Sequence, residues 1–375
     1  VKITDVTTRL IAVNASPWYT EVGTLHPEGA PQFWEYPLII ISTDEGLEGY
    51  ATGYDTYGGG RIIANLIREQ YRPMLLGQDP LHHEALWHEM RRANRHLRNA
   101  RDATSGLLDI ALWDIKGKLA RMSIGVLLGL QRTKVATYAT CSPLQLRTPE
   151  HAYEAAQRAQ ALGYRGFKLQ LWDTPELDIP RLRAAREAVG PGFPLMLDAS
   201  GIHSYIDALA IGRMLDELGY TWYEEPIPDQ QIGMLRRLAQ ELKTPILAGE
   251  TTTVHDLPEY LRHEAVDMVR GDAYIKGGIT GLRKALAMCE LFGYSLEIHA
   301  AATPLADVAN LHVACSVTNC EFLEHHLGHR MFSLFGMTEP LLEIDGEGYQ
   351  HLPTKPGLGV ELDWEWIKHH TVDVI

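Results

Sequence analysis

The feature that most limits what this 375-residue chain can become is a recurrence between Lys168 and Glu324. Short apolar runs there keep ending in a residue able to ionise, hold a metal or move a proton. The runs are Phe167-Lys168-Leu169-Gln170, Leu195-Met196-Leu197-Asp198, Trp222-Tyr223-Glu224-Glu225-Pro226, Ile246-Leu247-Ala248-Gly249-Glu250, Met268-Val269-Arg270-Gly271-Asp272, Ser295-Leu296-Glu297-Ile298-His299 and Glu321-Phe322-Leu323-Glu324. Counted from Lys168 through Asp198, Glu224, Glu250, Asp272 and His299 to Glu324, the steps are 30, 26, 26, 22, 27 and 25 residues. One strand, one helix and two short loops use about that length, so the spacing predicts repeated βα units. A barrel of such units brings the C-terminal strand ends to one face, where catalytic groups gather. These dispersed polar residues would then share one pocket.

Around this region the pattern changes. Residues 1 to about 57 read as antiparallel sheet, with Pro37-Leu38-Ile39-Ile40-Ile41-Ser42, a turn at Thr43-Asp44-Glu45-Gly46, and a returning strand at Leu47-Glu48-Gly49-Tyr50-Ala51. The long segment from Asn14 to Glu35, rich in Pro, Gly and aromatics, predicts a lid carrying Tyr19, His26 and Trp34. A Gly-rich turn from Thr52 to Gly60, with Tyr54, reads as a second flap; it lacks the Gly-Lys-Ser/Thr ending of a phosphate loop. From Arg61 to Leu130 the apolar period is helical, and such stripes normally face a core. Lys134 to Cys141 then opens the repeating region, with helices expected near 149–162, 178–189, 205–218, 230–242, 256–263, 279–292 and 304–316. The expected organisation is an N-terminal domain over 1–130, a barrel over 131–328 and a segment, 329–375, that returns to the first domain.

Composition narrows the function. The 45% hydrophobic and 22% charged content is that of a soluble globular protein, with no apolar run approaching a membrane helix and no leader-like N-terminus. Cys141, Cys289, Cys315 and Cys320 show neither metal spacing nor a dense disulfide pattern, so packing roles in a reducing cytoplasm are expected. A formal charge of −14 with no basic tract argues against nucleic acid as a partner. An anionic small substrate stays open, because a divalent cation and a few Lys or Arg side chains supply a local positive field.

Asp198, Glu224 and Glu250 each end an apolar strand, and three carboxylates within a few ångströms repel unless they share a cation. Oxygen ligands without Cys or His suit Mg²⁺, one ion in the pocket. Asp272 and His299 close successive strands. A carboxylate bonded to one ring nitrogen raises the basicity of the other, which makes an acid/base group near neutrality. Of the 17 histidines, His299 is singled out by its strand-end position.

The set Asp198, Glu224 within Trp-Tyr-Glu-Glu-Pro, Glu250 within Ala-Gly-Glu, Asp272 ahead of Gly277-Gly278-Ile279-Thr280-Gly281, His299 and Glu324 resembles the mandelate racemase subgroup of the enolase superfamily. The resemblance extends to Ala111-Leu112-Trp113-Asp114-Ile115-Lys116-Gly117-Lys118 and to Pro356-Gly357-Leu358-Gly359. It implies an α/β fold, a modified (β/α)7β TIM barrel, with an N-terminal α+β capping domain. It also implies one catalytic Mg²⁺ and abstraction of the proton next to a substrate carboxylate. Asp198, Glu224 and Glu250 would be ligands, His299 with Asp272 the acid/base dyad, and Glu324 a group hydrogen-bonded to the substrate carboxylate. A lysine ammonium, that of Lys168, and a protonated or donor carboxyl would help the metal spread the enediolate charge.

The chain departs from that family where Lys-x-Lys is common, because here the motif is Lys168-Leu169-Gln170. Both side chains should face the pocket, and glutamine cannot take up a proton. Two-base racemisation is thereby disfavoured unless Lys168 serves as a base. A single base fits dehydration of a sugar acid, an aldonate or aldarate, with polar and aromatic lid residues (Tyr19, His26, Trp34, Tyr54) around a polyhydroxylated ligand. The alternatives are an isomerase, cycloisomerase or epimerase, and a barrel kept for binding alone. Gln170 is expected at the substrate, and Arg270 and Lys276 are read either as contacts to its distal groups or as structural residues, since inward-facing barrel residues are as often structural. A symmetric homo-oligomer is the expected assembly.

Overall fold

The computed structural model describes residues 1–14, 33–53, 59–95, 102–327 and 336–375. Strands β1 (Ile3–Asn14), β2 (Phe33–Thr43) and β3 (Glu48–Thr52) form an antiparallel sheet, with helices α1 (Gly59–Leu66), α2 (His83–Asn94) and α3 (Asp102–Ala120) following. Next come β4 (Lys134–Cys141), α4 (Pro149–Ala161), β5 (Phe167–Gln170), α5 (Pro175–Val189), β6 (Leu195–Asp198), α6 (Tyr205–Leu218), β7 (Trp222–Glu224), α7 (Ile232–Glu241) and β8 (Ile246–Ala248). The series ends with α8 (Leu257–Arg262), β9 (Met268–Gly271), α9 (Gly278–Phe292), β10 (Ser295–Ile298), α10 (Pro304–Ala314) and β11 (Phe322–His326). β4 to β11 run parallel in sequence order, and β11 pairs with β4 to close the barrel. The fold is the expected (β/α)7β barrel beside an antiparallel sheet. No helix among the described residues is long and apolar enough to cross a membrane.

Strand parity decides what lies inside. Tyr138, Met196, Trp222, Leu247 and Phe322 form a buried cluster of their own, apart from the larger core between strands and helices. Side chains two residues apart share a strand face, so Met196 places Asp198, Trp222 places Glu224 and Phe322 places Glu324 one layer higher. The barrel plug therefore carries the polar rim directly above it.

The chain's end closes both parts. β12 (Tyr349–His351) pairs antiparallel with the first half of β4, and β13 (Thr371–Val374), after helix α11 (Trp364–His370), pairs with β1. Two motifs distant in sequence meet at Asp114 of α3. Its buried carboxylate accepts from Tyr50 N at 3.1 Å and Leu358 N at 2.8 Å, and pairs with Lys118 Nζ at 2.7 Å. Gly357, at φ +72°, leaves the room, because a Cβ there would run into the Asp114 carboxylate. A second buried acid of α3, Asp109, accepts from Thr280 N at 2.9 Å and Thr280 Oγ1 at 2.7 Å, which fastens the N-terminal part to α9 of the barrel.

Long antiparallel pairing also corrects the lid. Pairing of β1 with β2 continues to Asn14↔Phe33 and takes in Val13↔Trp34, so Trp34 is a strand residue. It is buried, with its ring edge-on to Tyr36 at 6.2 Å, and belongs to the core instead of a substrate loop. Tyr19, His26 and Tyr54 lie outside the described residues.

Asp114→Asn should cost about 2–4 kcal/mol, because it weakens one buried ion pair and leaves backbone donors short of an acceptor. Urea unfolding measures this. A midpoint equal to wild type would show that the meeting of α3 with the C-terminal loop adds nothing to stability.

Candidate active site

Asp198 and Glu224 are register partners at the ends of β6 and β7, and Glu250 follows β8 by two residues. The chain turns sharply after these acids, with Ser200 at φ +48° and Glu225 at φ +41°. Ser200 N and Oγ bond back to Asp198 Oδ1 at 2.9 and 3.3 Å, while Trp222 Nε1 reaches Glu224 Oε2 at 3.3 Å.

Two fully buried cations stand among the acids. Lys168 Nζ lies 2.9 Å from Glu224, 2.8 Å from Glu324 and 3.3 Å from Asp198. Arg270 pairs with Glu224 at 2.8 Å and Glu324 at 2.6 Å, and donates to Tyr138 Oη at 2.9 Å. Burial and Arg270 oppose the charge on Lys168, yet Glu224 and Glu324 hold it well above the usual lysine range. The surrounding acids favour its ammonium form. Burial likewise opposes the charge on Glu324, but Lys168 and then Arg270 hold it well below the usual carboxylate range. Glu324 Oε2 accepts from Arg270 Nη2 at 2.6 Å and Ala300 N at 3.1 Å, which favours the ionised form. Arg270, read from the sequence either as a distal substrate contact or as a structural residue, is committed below the rim because its strand parity turns it into the barrel.

The acid/base pair assembles at the neighbouring strand ends. His299 Nδ1 is 2.8 Å from Asp272 Oδ2, and Nε2 is 3.6 Å from Glu250 Oε2. Asp272 Oδ1 accepts from Ile275 N at 2.8 Å, and Asn310 Nδ2 holds the His299 carbonyl at 3.1 Å. Burial disfavours the imidazolium, but Glu250 and then Asp272 outweigh it and raise His299 to about 9. Glu250 is itself pushed up, first by burial. Glu225 is pushed up to about 10 by burial and then by Glu250, Asp229, Asp198 and Glu224. Negative charge is in excess on this side of the pocket.

Gln170, the register partner of Asp198, stands partly exposed at the end of β5. Lys276 is engaged by the loop after β8. Its buried ammonium donates to the carbonyls of Gly249 at 2.5 Å, Thr252 at 2.6 Å and Glu250 at 3.1 Å. Among the described residues, no three His, Cys, Asp or Glu side chains already converge as a metal cage. Sequence reasoning passed over Glu225, Asp229 and Asn310. Glu225 was visible as the second acid of Trp-Tyr-Glu-Glu-Pro, whereas Asp229 and Asn310 carry no signal beyond their residue type.

Two family models cover most of the chain: the mandelate racemase / muconate lactonizing enzyme N-terminal domain over residues 4–129, and the enolase C-terminal domain-like family over 150–366. The chain belongs to the mandelate racemase subgroup of the enolase superfamily. Arabinonate dehydratase of Saccharolobus solfataricus is 34% identical to this enolase-superfamily enzyme over 339 residues, covering 87% of the chain and 88% of the relative. D-galactarolactone cycloisomerase of Agrobacterium fabrum is 30% identical over 342 residues, covering 87% and 88%. Among solved structures, D-glucarate dehydratase from Agrobacterium tumefaciens, complexed with magnesium, superposes with a TM-score of 0.87 at 28% identity, covering 99% of each chain.

The sign of one pH effect follows from His299. Its folded value of about 9 lies above the ordinary 6.5, so its stabilisation is complete below pH 6.5 and is lost as pH rises through 9. In chelator, wild type should lose up to about 3 kcal/mol across that window, and His299→Asn should remove the slope. Equal slopes in urea titrations of the two proteins would show that Glu250 and Asp272 do not act on this ring.

Proposed function

We propose that this enzyme dehydrates a sugar acid, an aldonate or aldarate, to a 2-keto-3-deoxy acid by removing the proton α to the carboxylate. The observation that carries the reading is the His299–Asp272 pair at 2.8 Å, whose other ring nitrogen faces Glu250. Asp198, Glu224 and Glu250 would hold one Mg²⁺. Their all-oxygen chemistry, and the burial and neighbouring carboxylates that push Glu225 to about 10, fit a hard divalent cation. Bound there, Mg²⁺ supplies positive charge that makes the α-proton acidic enough to remove.

The chain's own groups divide the remaining work. A cation at Glu250 would offset the charge that raises His299, and Asp272 would then keep the proton on Nδ1 and leave Nε2 to accept the α-proton. The same imidazolium then returns a proton to the departing β-hydroxyl, which leaves as water, and the enol tautomerises to the ketone. Lys168, fixed by three carboxylates, contributes constant positive potential beneath the substrate carboxylate. Glu324 keeps Lys168 and Arg270 in place. Gln170, which cannot take a proton, is a polar contact for the substrate. A small carboxylate is the partner, and a symmetric homo-oligomer is the proposed assembly.

Cycloisomerisation of a lactone or anhydro sugar acid is the second reading, favoured by the 30% identical galactarolactone cycloisomerase. It uses the same proton removal without loss of water.

A panel of aldonates and aldarates with Mg²⁺ should yield a 2-keto-3-deoxy acid from at least one member. Ring opening or deuterium exchange in D₂O without any keto product would replace dehydration by the isomerase reading. His299→Asn should lower α-proton exchange by at least about 10²-fold with the fold unchanged. Exchange near the wild-type rate would move the base elsewhere. Glu250→Gln should weaken Mg²⁺ binding and remove turnover, and an unaltered metal affinity would take Glu250 out of the ligand set.

A further inference from the structure

The loop that carries Glu250 is held along both of its edges. On the amide side, Gly249 N and Thr251 N donate to Asp229 at 2.9 and 3.1 Å, and Glu250 N donates to Glu225 Oε1 at 3.2 Å. On the carbonyl side, Thr252 Oγ1 and N bond to Gly249 O from within the loop at 2.7 and 3.2 Å, and Lys276 reaches the loop from another element. Lys276 Nζ takes the carbonyls of Gly249, Glu250 and Thr252, and also reaches Thr252 Oγ1 at 3.2 Å. The ammonium is buried, so three carbonyls and a hydroxyl replace its water.

Lys276 comes from the other half of the site. Its own N–H donates to the Asp272 carbonyl at 3.0 Å, and the N–H of Ile275 just before it donates to Asp272 Oδ1 at 2.8 Å. Its alkyl chain crosses the end of β9 over Gly271, where a Cβ would overlap Cε and Cγ of the lysine. Gly271 O in turn accepts from His299 N at 3.0 Å. A continuous set of contacts thus runs from the His299–Asp272 pair, through the loop after β9 and the Lys276 ammonium, to the backbone of Glu250.

We infer that Lys276 is a positioning residue: it ties the Asp272 loop to the Glu250 loop, and so holds the acid/base pair and the metal-side carboxylate in one geometry. The inference rests on the proposed function, since it assigns Lys276 a task only if Glu250 serves a cation. Lysine suits the task because its compact ammonium reaches several carbonyls from a thin stem that fits over glycine. The nearest alternative is a purely structural lysine that caps orphan carbonyls.

Mn²⁺ binding, followed by electron paramagnetic resonance on the full chain well below the unfolding temperature, separates the two. Lys276→Met keeps the length of the stem and removes the ammonium. Gly271→Ala keeps the ammonium and displaces the stem, so the test stands if the first variant does not fold. Either folded variant should bind Mn²⁺ at least about tenfold more weakly, as expected for lost support of a ligand. Asp114→Asn, destabilised far from the loop, should bind Mn²⁺ as wild type does. A lowered melting temperature with unchanged Mn²⁺ affinity in both Lys276→Met and Gly271→Ala would reduce Lys276 to a structural cap. Wild-type protein that binds no Mn²⁺ would overturn the proposed metal site, and this inference with it.

Discussion

The structure turns on how a barrel interior tolerates a concentration of buried charge. An isolated ion in such a place costs several kcal/mol, and pairing offsets that only with close, well-bonded partners. Lys168 and Arg270 meet this condition by sharing Glu224 and Glu324 between them, with Asp198 at the edge of the cluster. The arrangement is unequal. Two cations serve Glu224 and Glu324, while nearer the rim burial and then Glu224 raise Glu250, and burial and then Glu250 raise Glu225. That imbalance leaves acids short of cationic partners after β7 and β8, beside His299 at the end of β10.

The rest of the molecule keeps this cluster rigid. An aromatic and aliphatic plug of Tyr138, Met196, Trp222, Leu247 and Phe322 fills the space below, so the charged layer has a packed floor. Asp109 and Asp114 carry the N-terminal helix α3 onto the barrel and the C-terminal loop through buried backbone bonds. Such bonds are directional, and each leaves a costly orphan donor when broken. They give the contact between sheet and barrel a definite geometry, which apolar packing alone would not.

Much of the barrel was legible because it rests on local rules. Strand parity and βα spacing depend on neighbours a few residues apart, and they located the strand ends, the helices and the pairing of Asp272 with His299. What was misread depended on distant partners. Trp34 looked like a lid residue until the pairing of β1 with β2 drew it into a strand. For Arg270 and Lys276 the sequence left substrate contact and structural roles equally open. Arg270 is engaged by acids from β7 and β11, and Lys276 by carbonyls after β8. The same distant partners shift Lys168 up and Glu324 down.

Sequence alone determined the βα spacing of the barrel, the face each barrel-strand side chain shows and the residue types at each strand end, because these follow from periodicity along one chain. Tertiary structure alone decided which cation neutralises which acid and which loops are tied together. Those outcomes depend on distances of about 3 Å between residues dozens to hundreds of positions apart, and electrostatic energy changes steeply over that range.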